Sequence, residues 1–586
     1  MASGSTLAFV SSPGLIERLA SDAWVLPLSP RLLGSRAHFV EKRPEDFLSA
    51  DAERAIQSRT DVAVHDWWRA TPPGSFEWKG WNFAECFEYE MRFVFQDLFK
   101  TEFVIDRALE RTKPARVVTD VPPLRGAFPP YPYLAAIGSL LHVGASAGRW
   151  DLQNVSGREM GPRSQRPSIL GKGYLSWAVR QGLSRVHEKN SIVALGPYRD
   201  VYQPLAKAVA RDGNRIVAMT SVRAPMRASS ASGLFVLPIG AFLESSDERE
   251  IKGVLDRTQQ AVLSMPLPAV VGPKDRGLDA AIRGHLFARL AEEIPDLIAL
   301  SIAFDRGLGS GRKGVLMETA SPLAKAFVRQ ARSRRMTVTV LQHGVVAGAF
   351  SYRATEGDRI AAWGPADAIW FRAHLDRSVG VEATGNPKYD MLVRSRKTPE
   401  TTPRHATSRP PWKIILASQP FVQDRPSRSP WSRAATLGMA MEGTLQVPGA
   451  QLIIKWHPAE AGEVLSEELP RGRVRVARGG NAIPLIREAA AVLVISSTIA
   501  LEAMLVGRPV VFLGPPDRDS PFHPPEDGGG IRVRTADELA SVLRDLIQNP
   551  VALKKVLEGQ ETFLVEHYAS LDGGAAERLA TFLRSG

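Results

Sequence analysis

Three short stretches set reactive side chains beside residues that bend the backbone. The first, "VLQHGVVAGAF" (340–350), ends an apolar run at Gln342, His343 and Gly344. Glycine lets a ligand or a neighbouring backbone come close, and histidine exchanges a proton near neutral pH. The second, "IIKWHPAE" (453–460), carries Lys455, His457 and Pro458. The proline stops the strand ladder, so His457 falls at the edge of a sheet, where its ring can donate to a phosphate. The third, "VLVISSTIALEAMLVGRPVVFLG" (492–514), ends a strand at Ile495 and opens a short helix with Ser496, Ser497 and Thr498. Gly507 stops that helix and Pro509 begins the next strand. Free amides and the dipole at a helix start favour an anion. Glu502, four residues beyond Thr498, lies on the same face, within reach of a ribose hydroxyl beside that anion. Each stretch by itself also fits a blander account: a histidine satisfied at a turn, a strand-end surface histidine, or a plain helix cap with a solvated glutamate.

These residues need elements that deliver them to one edge. Short β-branched runs alternate with longer amphipathic segments along the chain, which predicts α/β layers. Candidate strands early in the chain are Leu7–Val10, Trp24–Leu26, Val62–His65 and Val117–Thr119, with a long helical pattern from Phe83 to Arg111. Residues 191–221 read strand, loop, helix, glycine stop (Gly213) and strand. Residues 313–344 repeat that grammar, with a helix from Pro322 to Arg335 leading into the strand Thr337–Leu341 and the QHG turn. The strand-like pieces "DRIAAWG" and "VEATGNPKYD" follow, separated by a helix from Ala366 to Leu375. Residues 394–411 are rich in Pro, Thr and Arg without periodicity and read as a linker. The alternation then restarts, with "KIILASQP" bringing Gln419 to a strand end. The expected organisation is an N-terminal region (1–190), a Rossmann-like body (191–393), the linker, a second Rossmann-like body (412–560), and a terminal helix (561–586) that crosses back.

Composition narrows the function classes. A chain of 586 residues exceeds one core, so several domains are expected. The lone cysteine, Cys86, excludes a disulfide framework and a cysteine-rich zinc site. No run approaches the ~18 apolar residues of a membrane span. "MASGSTLAFVSSPG" has neither a basic start nor a long apolar stretch, so no secretory signal is expected and the location read from the sequence is cytoplasmic. The formal charge of +12 favours anionic partners, including a membrane surface, while no zinc-finger spacing or RNA-binding signature supports nucleic acid.

The order of these motifs resembles the GT-B glycosyltransferases of bacterial surface-polysaccharide assembly. QHG, "GNPKYD", a linker, "SQP", "KWHP" and "SST…E…GRPVV" succeed one another as in the capsule-polysaccharide, sialyltransferase and CDP-glycerol glycerophosphotransferase relatives. The resemblance covers roughly 313–550, and it implies two Rossmann-like domains facing across a cleft, with an enlarged N-terminal region. It implies that Lys455 and His457 meet the donor's phosphate, that Ser496, Ser497 and Thr498 hold the same phosphate, and that Glu502 meets the ribose. Gln419 would sit near the base or phosphate. Gln342, His343 and Gly344 would face the cleft from the N-terminal body. Such enzymes need no metal and no cofactor, the nucleotide-linked sugar (CMP-, CDP- or UDP-linked) being a substrate. The acceptor would be a growing or lipid-linked glycan, met at the inner membrane face where a basic surface favours docking.

Candidate bases are His343 and Glu318, the latter following the strand "GVLM", with Asp305 behind them. The sialyltransferase relatives carry an acidic base motif ahead of the HP motif, whereas this chain has "EDG" (526–528) behind it, in a Gly/Pro-rich loop expected near the donor. The same phosphate contacts would serve a CDP-polyol phosphotransferase. A UDP-sugar 2-epimerase shares the architecture, though the chain lacks the "DSGG"-type turn of those enzymes. A non-catalytic nucleotide-binding scaffold is the alternative outside enzymes. The stretch "DWWRATPPGSFEWKGWNF" (66–83) reads as core tryptophans or as a sugar-stacking surface.

Overall fold

A computed structural model gives three parallel β-sheets in chain order. It describes the chain outside residues 1–4, 34, 70, 124–133, 147, 156–190, 222–229, 232, 265–275, 309–312, 318–320, 345, 347–351, 353–356, 397–409, 420–429, 458–459, 461–468, 471, 515–524, 526–527 and 586. The N-terminal region holds β1 (Thr6–Val10), β2 (Trp24–Pro27), β3 (His38–Phe39), the hairpin β4 (Glu77–Trp78) and β5 (Trp81–Asn82), then β6 (Arg116–Thr119) and β7 (Leu152–Asn154). Its sheet runs β3-β2-β1-β6-β7, with every pairing parallel. The middle sheet uses β8 (Ser191–Leu195), β9 (Arg215–Thr220), β10 (Ser230–Ala231), β11 (Leu234–Pro238), β12 (Lys313–Leu316), β13 (Thr337–Leu341), β14 (Arg359–Ala362) and β15 (Gly380–Ala383). They lie in the order β10-β11-β9-β8-β12-β13-β14-β15, antiparallel only at β10. The last sheet comprises β16 (Trp412–Ala417), β17 (Ala450–Lys455), β18 (Val474–Ala477), β19 (Ala491–Val494), β20 (Val510–Leu513) and β21 (Ile531–Val533), in the order β18-β17-β16-β19-β20-β21.

Strands covered on both faces read as near-continuous apolar runs, and β8, β19 and β20 are buried at every position. Alternation still sorts them between two cores. Ile415 and Ala417 of β16 join one cluster, while Ile414 and Leu416 join the other. One further cluster unites Leu7 and Phe9 of β1 with Val193 and Leu195 of β8, so the N-terminal sheet and the middle sheet share a core. Trp67 is 1% exposed within it and meets Phe76 edge-on at 5.2 Å, the core account of that tryptophan-rich stretch.

The structure departs from the predicted elements at Val62–His65, in the linker, and in the terminal helix 561–586, which is the end of Pro550–His567 followed by a separate helix, Ala575–Arg584. Val62–His65 is the end of the helix Ala50–Asp66 instead of a strand. Ser49 caps that helix and Ile56, Thr60, Ala63 and Val64 are buried at helical spacing, which overrides the β-branched residues. The segment assigned to the linker begins as helix, since Asp390–Arg396 runs into it.

Among the parallel strands each sheet reverses its order once, beside β1, β8 and β16. In the N-terminal sheet the reversal lies between β1 and β6, and Asp120 occupies it. Its carboxylate accepts from Ser11 N (2.7 Å), Ser12 N (2.8 Å) and Ser12 Oγ (2.6 Å). At the other end of the chain, the helix Ala575–Arg584 lays Leu579, Phe582 and Leu583 against β8, β9 and the helix Arg199–Ala210. Buried Asp390 fixes its start by accepting from Ala575 N at 2.8 Å and Ala576 N at 2.9 Å. Asp390→Ala is therefore expected to lower stability by about 1–2 kcal/mol through loss of these end contacts, read as a drop in the thermal midpoint. An unchanged midpoint would show that the helix holds by its apolar face alone.

Candidate functional site

Ligands of parallel sheets collect outside the C-terminal strand ends where strand order reverses. In the last sheet that point is between β16 and β19. Gln419, two residues past β16, bridges it: its Oε1 accepts from Ser496 N at 3.2 Å and from Ser496 Oγ at 3.3 Å. The amide nitrogen of Gln419 is buried with no hydrogen-bond partner among the described residues. Ser497 Oγ accepts from Ile499 N at 3.3 Å, and Thr498 precedes the helix Ile499–Leu505 without a side-chain cap. The expected hydroxyl cap thus falls to Ser497, and the Thr498 hydroxyl is left out of it.

One strand away, Lys455 is buried with its Nζ 3.3 Å from Trp456 O. His457 is placed by Glu460, which is 3% exposed. Glu460 accepts from His457 N (3.0 Å) and Ser418 Oγ (3.0 Å) and lies 3.1 Å from Arg433 Nε. The Arg433 guanidinium in turn stacks 4.5 Å from the Trp456 ring centroid. Burial, and then the Lys455 charge, push the His457 pKa below its usual value. Its imidazole is therefore neutral at pH 7 and keeps one N–H to donate. Pro458, assigned the strand stop, lies outside the described residues.

The middle sheet presents the QHG turn. Gln342 is 1% exposed and has both ends of its amide engaged inside the protein. Nε2 donates to Gly344 O (3.1 Å) and Asp367 Oδ2 (3.0 Å), and Oε1 accepts from Trp363 N (2.7 Å). The amide expected to contact a ligand is thus committed to shaping the turn. Burial lifts the Asp367 carboxyl to about 6, with the Gln342 hydrogen bond opposing the shift. His343 donates its backbone N–H to Tyr352 Oη at 3.3 Å and carries an exposed ring 6.0 Å from that of Tyr198. The surrounding walls desolvate that ring, and the Lys388 charge adds to the effect, so its pKa is lowered.

The two sheets meet at these turns. Gly344 has φ +75°, and a Cβ placed on it would sit 3.6 Å from Thr498 Cγ2. Beside this approach, Glu502 is 6% exposed and its Oε1 accepts from Lys388 Nζ (2.7 Å) and Tyr389 Oη (3.1 Å). Lys388 also stands 4.0 Å from Asp200. The "GNPKYD" segment of the middle body thus grips the Ser-Ser-Thr helix of the last one. Among the described residues no group of three or more His, Cys, Asp or Glu is arranged to hold a metal.

Gly528 and Asp305 lie away from this cluster. Glu318, Glu526 and Asp527 lie outside the described residues. Gly528 packs on Gly559, where a Cβ on Gly559 would come 2.5 Å from Gly528 O, so this end of the loop lies beside the helix Pro550–His567 and not in the cleft. Asp305 ends the helix Arg276–Arg306 ahead of β12 and pairs with Arg334, which precedes β13. That is the opposite edge of the sheet, which removes it as a base. Lys388, Tyr389 and Glu460 were not singled out from the sequence, although "GNPKYD" and "KWHPAE" contain them. What they lacked was a visible partner, since each is paired across 42 to 114 residues or by the fold of a turn. Lysine at 388 reads as a surface charge until Glu502 is set beside it.

Glu460→Ala removes the acceptor of His457 N and Ser418 Oγ and leaves a mostly buried arginine without its carboxylate. The expected result is a loss of about 3 kcal/mol, as for breaking a buried ion pair, measured by denaturant unfolding of the purified variant. A loss under about 1 kcal/mol would mean that the turn stands without Glu460.

Comparisons with known proteins bear on this half of the chain. The family model described as "Capsule polysaccharide biosynthesis protein" matches residues 432–519. Protein FixF of Sinorhizobium fredii (strain NBRC 101917 / NGR234) is 38% identical over 69 residues, 12% of this chain and 17% of FixF. The chain thus matches under a fifth of that curated relative. Among solved structures, the wall teichoic acid polymerase TagF aligns at 11% identity with a TM-score of 0.41, covering 70% of this chain and 92% of TagF. The glycotransferase of kitacinnamycin aligns at 14% identity and 0.36 (67% and 98%), and the UDP-GlcNAc 2-epimerase of Methanocaldococcus jannaschii at 12% and 0.35 (68% and 99%). At such scores the architecture is argued from the chain's own sheets and their facing strand ends. Across 432–519, the stretch that holds His457 and the Ser496–Thr498 turn, the sequence carries the pattern of the capsule polysaccharide biosynthesis proteins.

Proposed function

We propose that the protein is a glycosyltransferase that moves a sugar from a nucleotide-activated donor to a glycan or lipid-linked acceptor of surface-polysaccharide assembly, without a metal. The observation that carries this reading is the meeting of two strand-end turns: the His343–Gly344 turn of one sheet lies against Thr498 of the other, beside a strand-order reversal lined by Gln419, Ser496 and His457. A histidine exposed on one wall faces a phosphate-type site on the other, the arrangement that a group transfer between two bound substrates requires.

In this mechanism the donor's phosphates lie at the ends of β16, β17 and β19. Neutral His457 donates a hydrogen bond, Lys455 supplies charge, and the Ser496–Thr498 hydroxyls and amides meet the charge that grows on the leaving group. His343, neutral near pH 7, takes the proton from the attacking acceptor hydroxyl. Glu318 is a second candidate for that step. Oε1 of Glu502 is engaged by Lys388 and Tyr389, so a ribose contact falls to Oε2.

Calorimetric titration with CMP, CDP, UDP and GDP tests the donor site. Micromolar binding of one of them, lost in His457→Ala, is expected; binding of none would sink the reading. Once the donor is known, the pH profile tests the base. A histidine base works only when neutral, and the His343 pKa lies below its ordinary value. The rate should therefore be flat through neutral pH and fall only on acidification below about 6.5. His343→Gln should cut kcat by about 10²-fold or more and abolish that acid limb. A variant with near wild-type kcat and the same limb would move the base to another residue.

A further inference from the structure

A second cavity lies on the far side of the last sheet. It encloses about 720 Å³, within the ~300–1,000 Å³ of small-molecule sites. Trp412, Ala490 and Pro509 line it from the beginnings of β16, β19 and β20, the edge opposite the nucleotide-facing turns. A strand of four to six residues separates the two edges by roughly 13–20 Å. The remaining walls combine apolar Met504, Leu546, Leu553 and Leu557 with the ion pairs Lys554–Glu558 and Arg396–Glu561. The helix Pro550–His567 forms one side and is pinned by Gln560, which accepts from Val510 N (3.0 Å) and donates to Arg508 O (2.9 Å).

Two guanidinium groups, Arg508 and Arg396, also line the cavity. Arg508 donates to the carbonyl of Arg487 and has no carboxylate partner among the described residues, and its Nε is buried without an acceptor. Desolvation lowers its pKa, as expected of a cation held away from water without a counter-charge. Arg396 pairs through Nη2 with Glu561, while its Nη1 is buried and also lacks an acceptor. Buried N–H groups of a charged side chain are costly to leave unpaired. With Lys554 paired to Glu558 and Arg396 to Glu561, Arg508 is the lining cation that no carboxylate balances among the described residues, which suits a ligand that brings acceptor oxygens on an apolar body.

We propose that this cavity binds an anionic lipid, with one hydrocarbon chain against Leu553, Leu557 and Met504 and the acidic head group on Arg508 and Arg396. The site is separate from the nucleotide-facing turns and would hold the enzyme on or beside a membrane carrying its acceptor. Apolar burial supplies the affinity and the two guanidinium groups supply the choice of an anion. Arg396 and Arg508 enter the cavity from different segments, so the head group would be gripped between the end of the helix Asp390–Arg396 and the turn before β20.

The test is titration of the full chain, below the micellar limit, with dodecyl phosphate, dodecanol and inorganic phosphate. Dodecyl phosphate should bind in the micromolar range, dodecanol at least tenfold more weakly, and inorganic phosphate not measurably at this site. Arg508→Gln should weaken dodecyl phosphate about tenfold while nucleotide titrations stay unchanged. Leu557→Glu should remove binding of both chain-bearing probes, with the thermal midpoint checking that each variant folds. Equal affinity for dodecanol and dodecyl phosphate, or binding indifferent to both substitutions, would overturn the proposal. So would loss of the signal in the presence of saturating nucleotide, which would assign the probe to the cleft.

Discussion

Glu502 is a carboxylate that belongs to one sheet and is satisfied by another. It sits inside the helix Ile499–Leu505, almost wholly removed from water, with Lys388 and Tyr389 arriving from the segment after β15. A buried charge without its partner is strongly destabilising, so the last body gains its counter-charge only by lying against the middle one. The same contact sets Thr498 against Gly344 and holds Lys388 near enough to influence His343. The arrangement of the cleft follows from this pairing more than from either sheet taken alone. Trp363 and Tyr389 extend the contact into an apolar cluster shared with β16, β17 and β19, so ionic and hydrophobic terms point the same way.

Both histidines of the cleft are held by their backbones. His457 N–H is taken by Glu460 and His343 N–H is donated to Tyr352, while Gln342 ties the turn after β13 to β14 and Asp367. Buried polar residues next to them carry the positioning of both turns. Such support needs complete satisfaction, since a half-paired buried network is worse than none. Gln342, with three hydrogen bonds from one amide, meets that condition.

Much of this was legible in the sequence because period and punctuation are local. Thr337–Leu341 emerges as β13 residue for residue, and the helices before and after it begin at Pro322 and Pro365, where proline favours the first turn. Val62–His65 was misread for a local reason as well: β-branched residues at alternate positions suit a strand until the buried stripe of a 17-residue helix is seen. The partners of the site were illegible for a different reason. Lys388 and Glu502 stand 114 residues apart, and nothing in either segment names the other. In the N-terminal sheet β1, β2 and β6 are legible as Leu7–Val10, Trp24–Leu26 and Val117–Thr119, whereas β3 and β7 have two and three residues and too little pattern to register.

Asp120 gives that N-terminal sheet a particular standing. Three donors from Ser11 and Ser12 converge on its carboxylate at the place where strand order reverses. A tethered carboxylate is an intramolecular ligand, present at an effective concentration that a dissolved anion must outcompete. The chain has three parallel sheets of the kind that collect anions at such reversals, yet one of them has swallowed its own plug. That sheet folds, buttresses its neighbour through a shared core, and leaves the facing strand ends of the other two sheets as the ones not filled by the chain's own carboxylate.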